Sequence, residues 1–444
     1  MLKDFARSIV QTLRQQGFQA YLVGGCVRDL LLQREAEDWD VATDATPGQV
    51  MSIFPETYAV GAQFGVVLVP VPEGSREPAQ SSVVEVATFR SDISYSDGRH
   101  PDQVRFSRDP REDVARRDFT INGMLLDPVS GEVIDFVGGK KDLAAGVIRT
   151  IGDPELRFAE DKLRMLRAVR FAARFGYVID AGTFEAIKKL ADEVRLVSRE
   201  RVRDELTRML TEGQGHKAFL LLDESRMLGH VLPEIAAMKG VAQPPEFHPE
   251  GDVFVHTLLL LDNLPCPCPA TLAWGALLHD VGKPPTFRVA PDRIRFDDHA
   301  EVGVKMAEQI CRRLRFSNDD AAQILALVGN HMRFGQATLM KESTLKKFMR
   351  MPAFDEHLAL HRADCLASHR NLATYEFVQQ RRAAIPPEKM RPSPLVTGHD
   401  LIREGHVPGP KFRQILNAVE DAQLEGRLLS RAAALEFVRR EFPV

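Results

Sequence analysis

Apolar positions recur at helical spacing over residues 3–15, and then the period changes. Ala20, Tyr21, Leu22 and Val23 form an unbroken strand-like run, Gly24-Gly25 interrupts it, and a short helical pattern follows over 27–32. Runs rich in β-branched or aromatic residues at 39–42, 65–69 and 83–89 predict further strands, so the first part of the chain reads as α/β. Residues 72–82 read as a loop by composition, and 90–108 is a polar stretch without clear period, expected to be mobile. From Pro154 the pattern turns helical and stays so. Asp153-Pro154-Glu155 is a good helix start, and Leu163, Leu166, Val169 and Ala173 recur at helical spacing. Ser198, Arg201 and Val202 begin another helix that ends before Gly213. The Pro- and Gly-rich stretch 240–251 marks a boundary, a second helical unit occupies 252–382, and a proline-rich link at 385–393 leads to a tail. The expected organisation is α+β: a head over 1–145, a helical neck over 146–240, a helical domain over 250–382 and a helical tail over 390–444. No internal repeat is evident.

With 444 residues, 44% hydrophobic and 27% charged, the composition is that of a globular protein of roughly three domains. No apolar run reaches the roughly 18 residues a membrane span needs, and residues 1–5 open an amphipathic helix rather than a signal core, so a cytoplasmic protein is expected. Five cysteines, an odd number, argue against a disulfide framework, and Cys266-Pro267-Cys268 suits a loop better than a zinc knuckle. A net charge of −4 counts mildly against nucleic-acid binding. Local distribution matters more: residues 157–208 hold thirteen Lys/Arg against nine Asp/Glu, and 99–117 is rich in arginine. A solvated helical face would look similar.

The candidate chemistry begins at Leu22-Val23-Gly24-Gly25-Cys26-Val27-Arg28-Asp29, followed by Asp38-Trp39-Asp40. A strand, a glycine pair and a helix start can turn backbone N–H groups towards phosphate oxygens, and Arg28 adds a charge-assisted donor. Residues two apart on a strand share a face about 6.6 Å apart. Two carboxylates there repel unless a cation sits between them, and hard oxygen ligands suit Mg2+. Glu85 is the natural third acid, standing in an otherwise apolar strand. For an isolated Asp-x-Asp a solvent-facing pair is the plainer reading; the glycines, Arg28 and the later acid together argue against it. In Arg116-Arg117-Asp118-Phe119-Thr120-Ile121-Asn122, the arginines suit triphosphate oxygens, Asp118 can accept from a ribose hydroxyl, and Asn122 is an amide donor and acceptor. On one helix Asp161 and Arg164 share a face and match the Watson–Crick edge of a base, with Arg167 and Arg170 farther along, within reach of phosphates. Each of these clusters alone could be an ordinary surface ion pair.

These motifs, in this order and closed by Ser198-x-Glu200-Arg201, resemble the class II tRNA nucleotidyltransferases and bacterial poly(A) polymerases over residues 15–235. The resemblance implies a polymerase-β-like head with Asp38 and Asp40 holding catalytic Mg2+. It also implies a neck where Asp161 and Arg164 select CTP and then ATP for addition to a tRNA 3′ end. The sequence departs from the family at Gln33, often glycine, at Gly123, usually alanine, and at Lys162, often proline. The alternatives are poly(A) addition, or addition of CC or A only.

A second constellation follows. His256 opens an apolar helix, His279-Asp280-Val281-Gly282-Lys283 ends another, and His299, His331 and Asp364 each lie near a helical segment. Imidazoles and carboxylates drawn from several helices commonly bind one or two transition metals, whereas a lone histidine there is more often core. The pattern resembles the HD metal-dependent phosphohydrolases over 252–370. That implies metal held by His256, His279, Asp280 and Asp364, extended by His299 and His331, and hydrolysis of a phosphoester such as a 2′,3′-cyclic phosphate. An inherited scaffold without turnover is the opposing reading, and an HD phosphohydrolase with a tRNA-binding N-terminal region is the rival of another class. The tail, Gly398 to Gly405 and then Pro408-Gly409-Pro410-Lys411, suits an RNA-contacting or packing module. Oligomeric state is not legible.

Overall fold

The computed structural model describes residues 2–36, 38–59, 62–72, 83–93 and 103–444. The expected loop at 72–82 falls almost wholly outside the described residues. The chain divides into two compact units, Met1–Met209 with Lys217–Pro233, and Leu210–His216 with Glu234–Val444.

In the first unit the helix Leu2–Gln15 buries Ala6, Ile9, Val10 and Leu13, the face set by its helical period. The sheet comprises β1 (Ala20–Val23), β2 (Asp40–Thr43), β3 (Val66–Pro70), β4 (Val83–Thr88), β7 (Met124–Leu126) and β8 (Val133–Asp135), in the order β3-β4-β2-β1-β7-β8. A separate hairpin pairs β5 (Arg90–Ile93) with β6 (Gln103–Phe106). It gives the ends of the polar stretch 90–108 a pairing that the aperiodic sequence did not signal, and residues 94–102 lie outside the described residues. Strand β2 is central, running antiparallel to β1 with Val23 opposite Asp40, and parallel to β4 with Asp40 opposite Glu85. On β4 the side chains of Val84 and Val86 are buried and Glu85 is exposed, so the strand's alternation delivers the acid to the open face. Helices follow at Pro154–Glu160, Leu163–Phe175 and Arg199–Thr211.

The second unit is built on helices Val253–Asp262, Ala270–Leu278, His299–Arg313, Asn318–Asn330 and Phe354–Ala367. An ideal Cβ at Gly282 would lie 2.0 Å from the His299 carbonyl oxygen and 2.6 Å from the Gly303 nitrogen. Only glycine lets the Asp280–Lys283 turn approach the helix that carries His299 this closely. A hairpin, Phe287–Val289 with Ile294–Phe296, interrupts what the sequence presents as a wholly helical region. The tail has its own core around Val396, Leu401, Ile415, Val419 and Val438.

The three departures from the family pattern each have a local cause. Gln33 adopts φ 55, the left-handed region that glycine enters without strain. An ideal Cβ at Gly123 would meet Ile151 Cδ1 at 2.8 Å and Val137 Cγ2 at 2.9 Å, so these neighbours occupy the alanine's space. Lys162, at φ −64, has the backbone of a proline and instead pairs with Glu193 at 3.4 Å.

Candidate active site and candidate metal centre

Gly24 turns β1 into the helix Gly25–Leu31 at φ 81, a conformation that favours glycine. The bend lies close to the charged groups: an ideal Cβ there would lie 3.3 Å from Arg117 Nη1 and 3.6 Å from Asp40 Oδ2. The first glycine bend and the strand acid therefore face one another. Asp38 is exposed and precedes β2, Trp39 turns inward at 6% exposure, and Asp40 begins the strand. Asp38 is thus a loop residue rather than a second strand position. Burial, then the charges of Glu85 and Asp38, push Asp40 up to about 6 against the pull of Arg117. Glu85 is raised by its partial burial and by Asp38. Asp40 and Glu85, each raised by burial and by neighbouring acid charge, form with Asp38 a place where positive charge is favoured, which fits the donor set of a divalent cation.

A cleft of about 450 Å³ joins Gly24, Gly25, Asp38 and Asp40 to Arg116, Asp118, Asn122, Asp161, Arg164 and several further arginines. Its inner wall is a network of ion pairs. Arg28 donates to both Asp29 oxygens at 2.8 and 2.9 Å and to Asn122 Oδ1 at 2.7 Å, and its plane covers Phe175. Arg116 and Arg117 divide the buried Asp113 carboxylate, at 2.7 and 3.0 Å. Asp118 accepts from Arg167 at 2.7 and 2.9 Å and from Asn122 Nδ2 at 3.1 Å. Burial alone would raise Asp118, but Arg167 and these hydrogen bonds hold it down at about 2. Arg170, buried, meets Glu205 at 2.6 Å. Arg28, Asp118, Arg167 and Arg170 line the cleft with these charged groups engaged by protein partners.

The expected single helix through Asp161 and Arg164 is broken. Asp161 is extended, at φ −145 and ψ 105, between the helices Pro154–Glu160 and Leu163–Phe175. Its carboxylate accepts from Arg201 at 2.8 and 3.1 Å. Arg164 is fixed by Glu160 at 2.6 Å and by the carbonyls of Arg157 and Arg116 at 3.0 and 3.1 Å. Both side chains still line the cleft. Sequence reasoning read Arg117 as a phosphate group's partner but missed its hold on Asp113, and it missed the hold of Arg201 on Asp161. Arg117 was legible as the second of a paired arginine, while Arg201 lies forty positions from its partner Asp161.

In the second unit, four imidazoles converge. Each Nδ1 faces an oxygen: His279 on the Ala276 carbonyl at 2.7 Å, His299 on Phe296 at 2.8 Å, His331 on Val328 at 2.6 Å, and His256 on Glu250 Oε1 at 2.6 Å. The carbonyl acceptors place the proton of His279, His299 and His331 on Nδ1 and turn the Nε2 lone pair inward, while His256, whose Nδ1 faces a carboxylate, presents its Nε2 to the same space. His256 Nε2 is 3.1 Å from Asp364 Oδ1, His279 Nε2 is 3.0 Å from Asp280 Oδ2, and His299 and His331 are each 3.7 Å from Asp280 Oδ1. His256, His279 and Asp364 form one group with ligand atoms within 4.8 Å of one another; Asp280, His299 and His331 form another. Imidazole nitrogens and carboxylates crowded into a buried place are the donor set that a bound cation satisfies. His256 Nε2, His279 Nε2 and Asp280 Oδ2 are buried and lie close to charged neighbours without well-aligned hydrogen bonds, and the donor set suits a transition metal. Burial pulls His256 down, but its contacts with Asp364 and Glu250 prevail and push it up to about 9. Burial and the charge of His279 keep His331 down at about 4 and neutral. Lys283 Nζ lies 2.7 Å from Asp280 Oδ2 and 2.7 Å from Gln243 Oε1, at a pocket of about 410 Å³ that also exposes Arg293 and Arg295.

Comparison with known proteins returns the same division. Family models match as a poly A polymerase head domain over 20–149, a probable RNA- and SrmB-binding site of polymerase A over 176–239, and an HD domain over 260–368. A CCA-adding enzyme of Lactobacillus helveticus is 30% identical over 439 residues, 97% of this chain and 95% of that protein. A CCA-adding enzyme of Bacillus pumilus is 43% identical over 219 residues, 49% of this chain and 52% of that protein, so this stronger match spans about half the length of each. The structure of the Bacillus stearothermophilus CCA-adding enzyme in complex with CTP superposes with a TM-score of 0.75 at 28% identity, covering 98% of this chain and 97% of that one.

Proposed function

The chain belongs to the CCA-adding enzymes, class II tRNA nucleotidyltransferases with an HD domain, and from that membership we propose that it adds C, C and A to the 3′ end of tRNA from CTP and ATP. The observation that carries this reading is the acid row at the glycine bend, with Asp40 opposite Glu85 and its Oδ2 3.6 Å from the Cβ position of Gly24. In the reaction the RNA 3′-hydroxyl attacks the nucleotide α-phosphate and pyrophosphate leaves. Asp38, Asp40 and Glu85 would hold Mg2+, which when bound would activate the hydroxyl and steady the leaving group. Gly24 and Gly25 let the triphosphate approach the backbone, with Arg117 beside it. Arg28, Arg116, Asp118, Asn122, Arg167 and Arg170 fix the wall on which the nucleotide lies. Asp161 and Arg164 read the base edge as acceptor and donor, and Arg201 holds the Asp161 carboxylate in place.

A second reading, phosphoester hydrolysis in the second unit, is favoured by the four inward-facing Nε2 atoms beside Asp280 and Asp364. His256, His279, Asp280, His299, His331 and Asp364 would hold metal there, and bound metal supplies a nucleophilic hydroxide at neutral pH. Lys283, with Arg293 and Arg295 nearby, suits a phosphate group such as a 2′,3′-cyclic phosphate.

The test supplies tRNA transcripts ending before CC, before A, or complete, with each nucleotide alone and together, and sequences the products. Completion to CCA and no further is expected. A long A-tract would move the chain to the poly(A) polymerases, and arrest after CC or failure to add C would make it a partial enzyme.

A further inference from the structure

Of the four converging imidazoles, three direct Nδ1 to a backbone carbonyl and only His256 directs it to a charged group. That group is Glu250, from the Pro- and Gly-rich stretch before the helix Val253–Asp262. Its Oε1 lies 2.6 Å from His256 Nδ1 and 2.8 Å from His248 Nδ1, and its side chain is only 7% exposed. The other oxygen, Oε2, is buried with no hydrogen-bond partner among the described residues. A desolvated carboxylate with one satisfied oxygen is costly, and that cost needs a local reason. We propose that Glu250 is the outer carboxylate of the metal centre. It is a positioning residue that holds the His256 ring by Nδ1 and aims Nε2 beside Asp364. His248, packed edge-on against His256 with ring centroids 4.8 Å apart, braces the carboxylate and is not itself a ligand.

The inference rests on the second unit being a metal centre, and the experiment separates the two. The full chain and the variants Glu250→Gln, Glu250→Asp and His248→Ala are stripped and titrated with Co2+ or Zn2+ against a chromophoric chelator, and bound metal is counted. Melting is followed with and without metal. Glu250→Gln should lose about 10–100-fold in affinity while melting like the wild type when metal-free. Glu250→Asp, which keeps the charge and covers the case of a poorly folding Gln variant, should recover part of the loss. His248→Ala should keep the wild-type metal count. Wild-type affinity in Glu250→Gln, or a fall in metal-free melting with an unchanged metal-induced rise, overturns the proposal. Loss of one equivalent in His248→Ala overturns it too, because Glu250 would then be a direct ligand of a separate site with His248. A wild-type chain that binds no metal overturns the metal-centre reading itself, and this inference with it.

Discussion

At the scale of single residues, the first unit depends on carboxylates held ionised by arginine. Asp118 is the clearest case, with its pKa brought down from 3.8 to about 2. A depressed carboxylate contributes stability that is fully present above the ordinary range and lost as pH falls through the folded value. The shift corresponds to about 2 kcal/mol at neutral pH. Asp118→Asn is therefore expected to be less stable by about 2 kcal/mol near pH 7, and to lose less than the wild type between about pH 5 and about pH 2. The chain's two tryptophans, Trp39 and Trp274, fall one in each unit, so a Trp274→Phe background reports the first unit alone by fluorescence. Equal acid sensitivity in both proteins would remove Asp118 from the account of acid stability.

Elements show which parts of this structure were legible in the sequence. The strand–glycine–helix turn could be read because Gly24-Gly25 cuts an apolar run, and the strand acid on β4 because Glu85 breaks one. The end of a helix at Glu160 could not, since Glu160-Asp161-Lys162 contains no breaker. It is tertiary contact, Arg201 on Asp161 and the Arg116 carbonyl on Arg164, that holds the extended residue there. The hairpin at 287–296 escaped because three-residue strands carry too little alternation to outweigh helical neighbours. Glu250 escaped because the prolines and glycines around it signal only a boundary. Gly282 was visible as a letter in the motif, but its reason is a packing contact between elements. Gly282→Ala is expected to push the helix His299–Arg313 off its seat, costing the second unit about 3 kcal/mol or more. It should also weaken metal binding, since His299 and Asp280 move apart. Denaturant unfolding followed by Trp274 in a Trp39→Phe background checks the first claim, and chelator competition the second. A wild-type midpoint would contradict the close approach.

Across the whole molecule, each unit holds its own candidate site. Among the described residues, no helix is long and apolar enough to cross a membrane. Metal bound to the folded second unit should raise its unfolding free energy by about 2.7 kcal/mol at a hundred times Kd, read at Trp274 and not at Trp39. Function should separate along the same line. Asp40→Ala is expected to lower tRNA extension by more than about 100-fold and leave phosphoester hydrolysis intact. His279→Ala should abolish hydrolysis and metal uptake in the second unit while extension continues. Loss of both activities in either variant would mean that the two centres share one function.

The most direct measurement is anomalous diffraction from crystals grown with Mn2+ in place of Mg2+ and a non-reactive CTP analogue. The account predicts a peak about 2.1 Å from carboxylate oxygens of Asp38 and Asp40, with the triphosphate lying along Gly24 and Gly25. A triphosphate bound there without metal on either aspartate, or a metal–nucleotide complex seated away from the glycine bend, would contradict it.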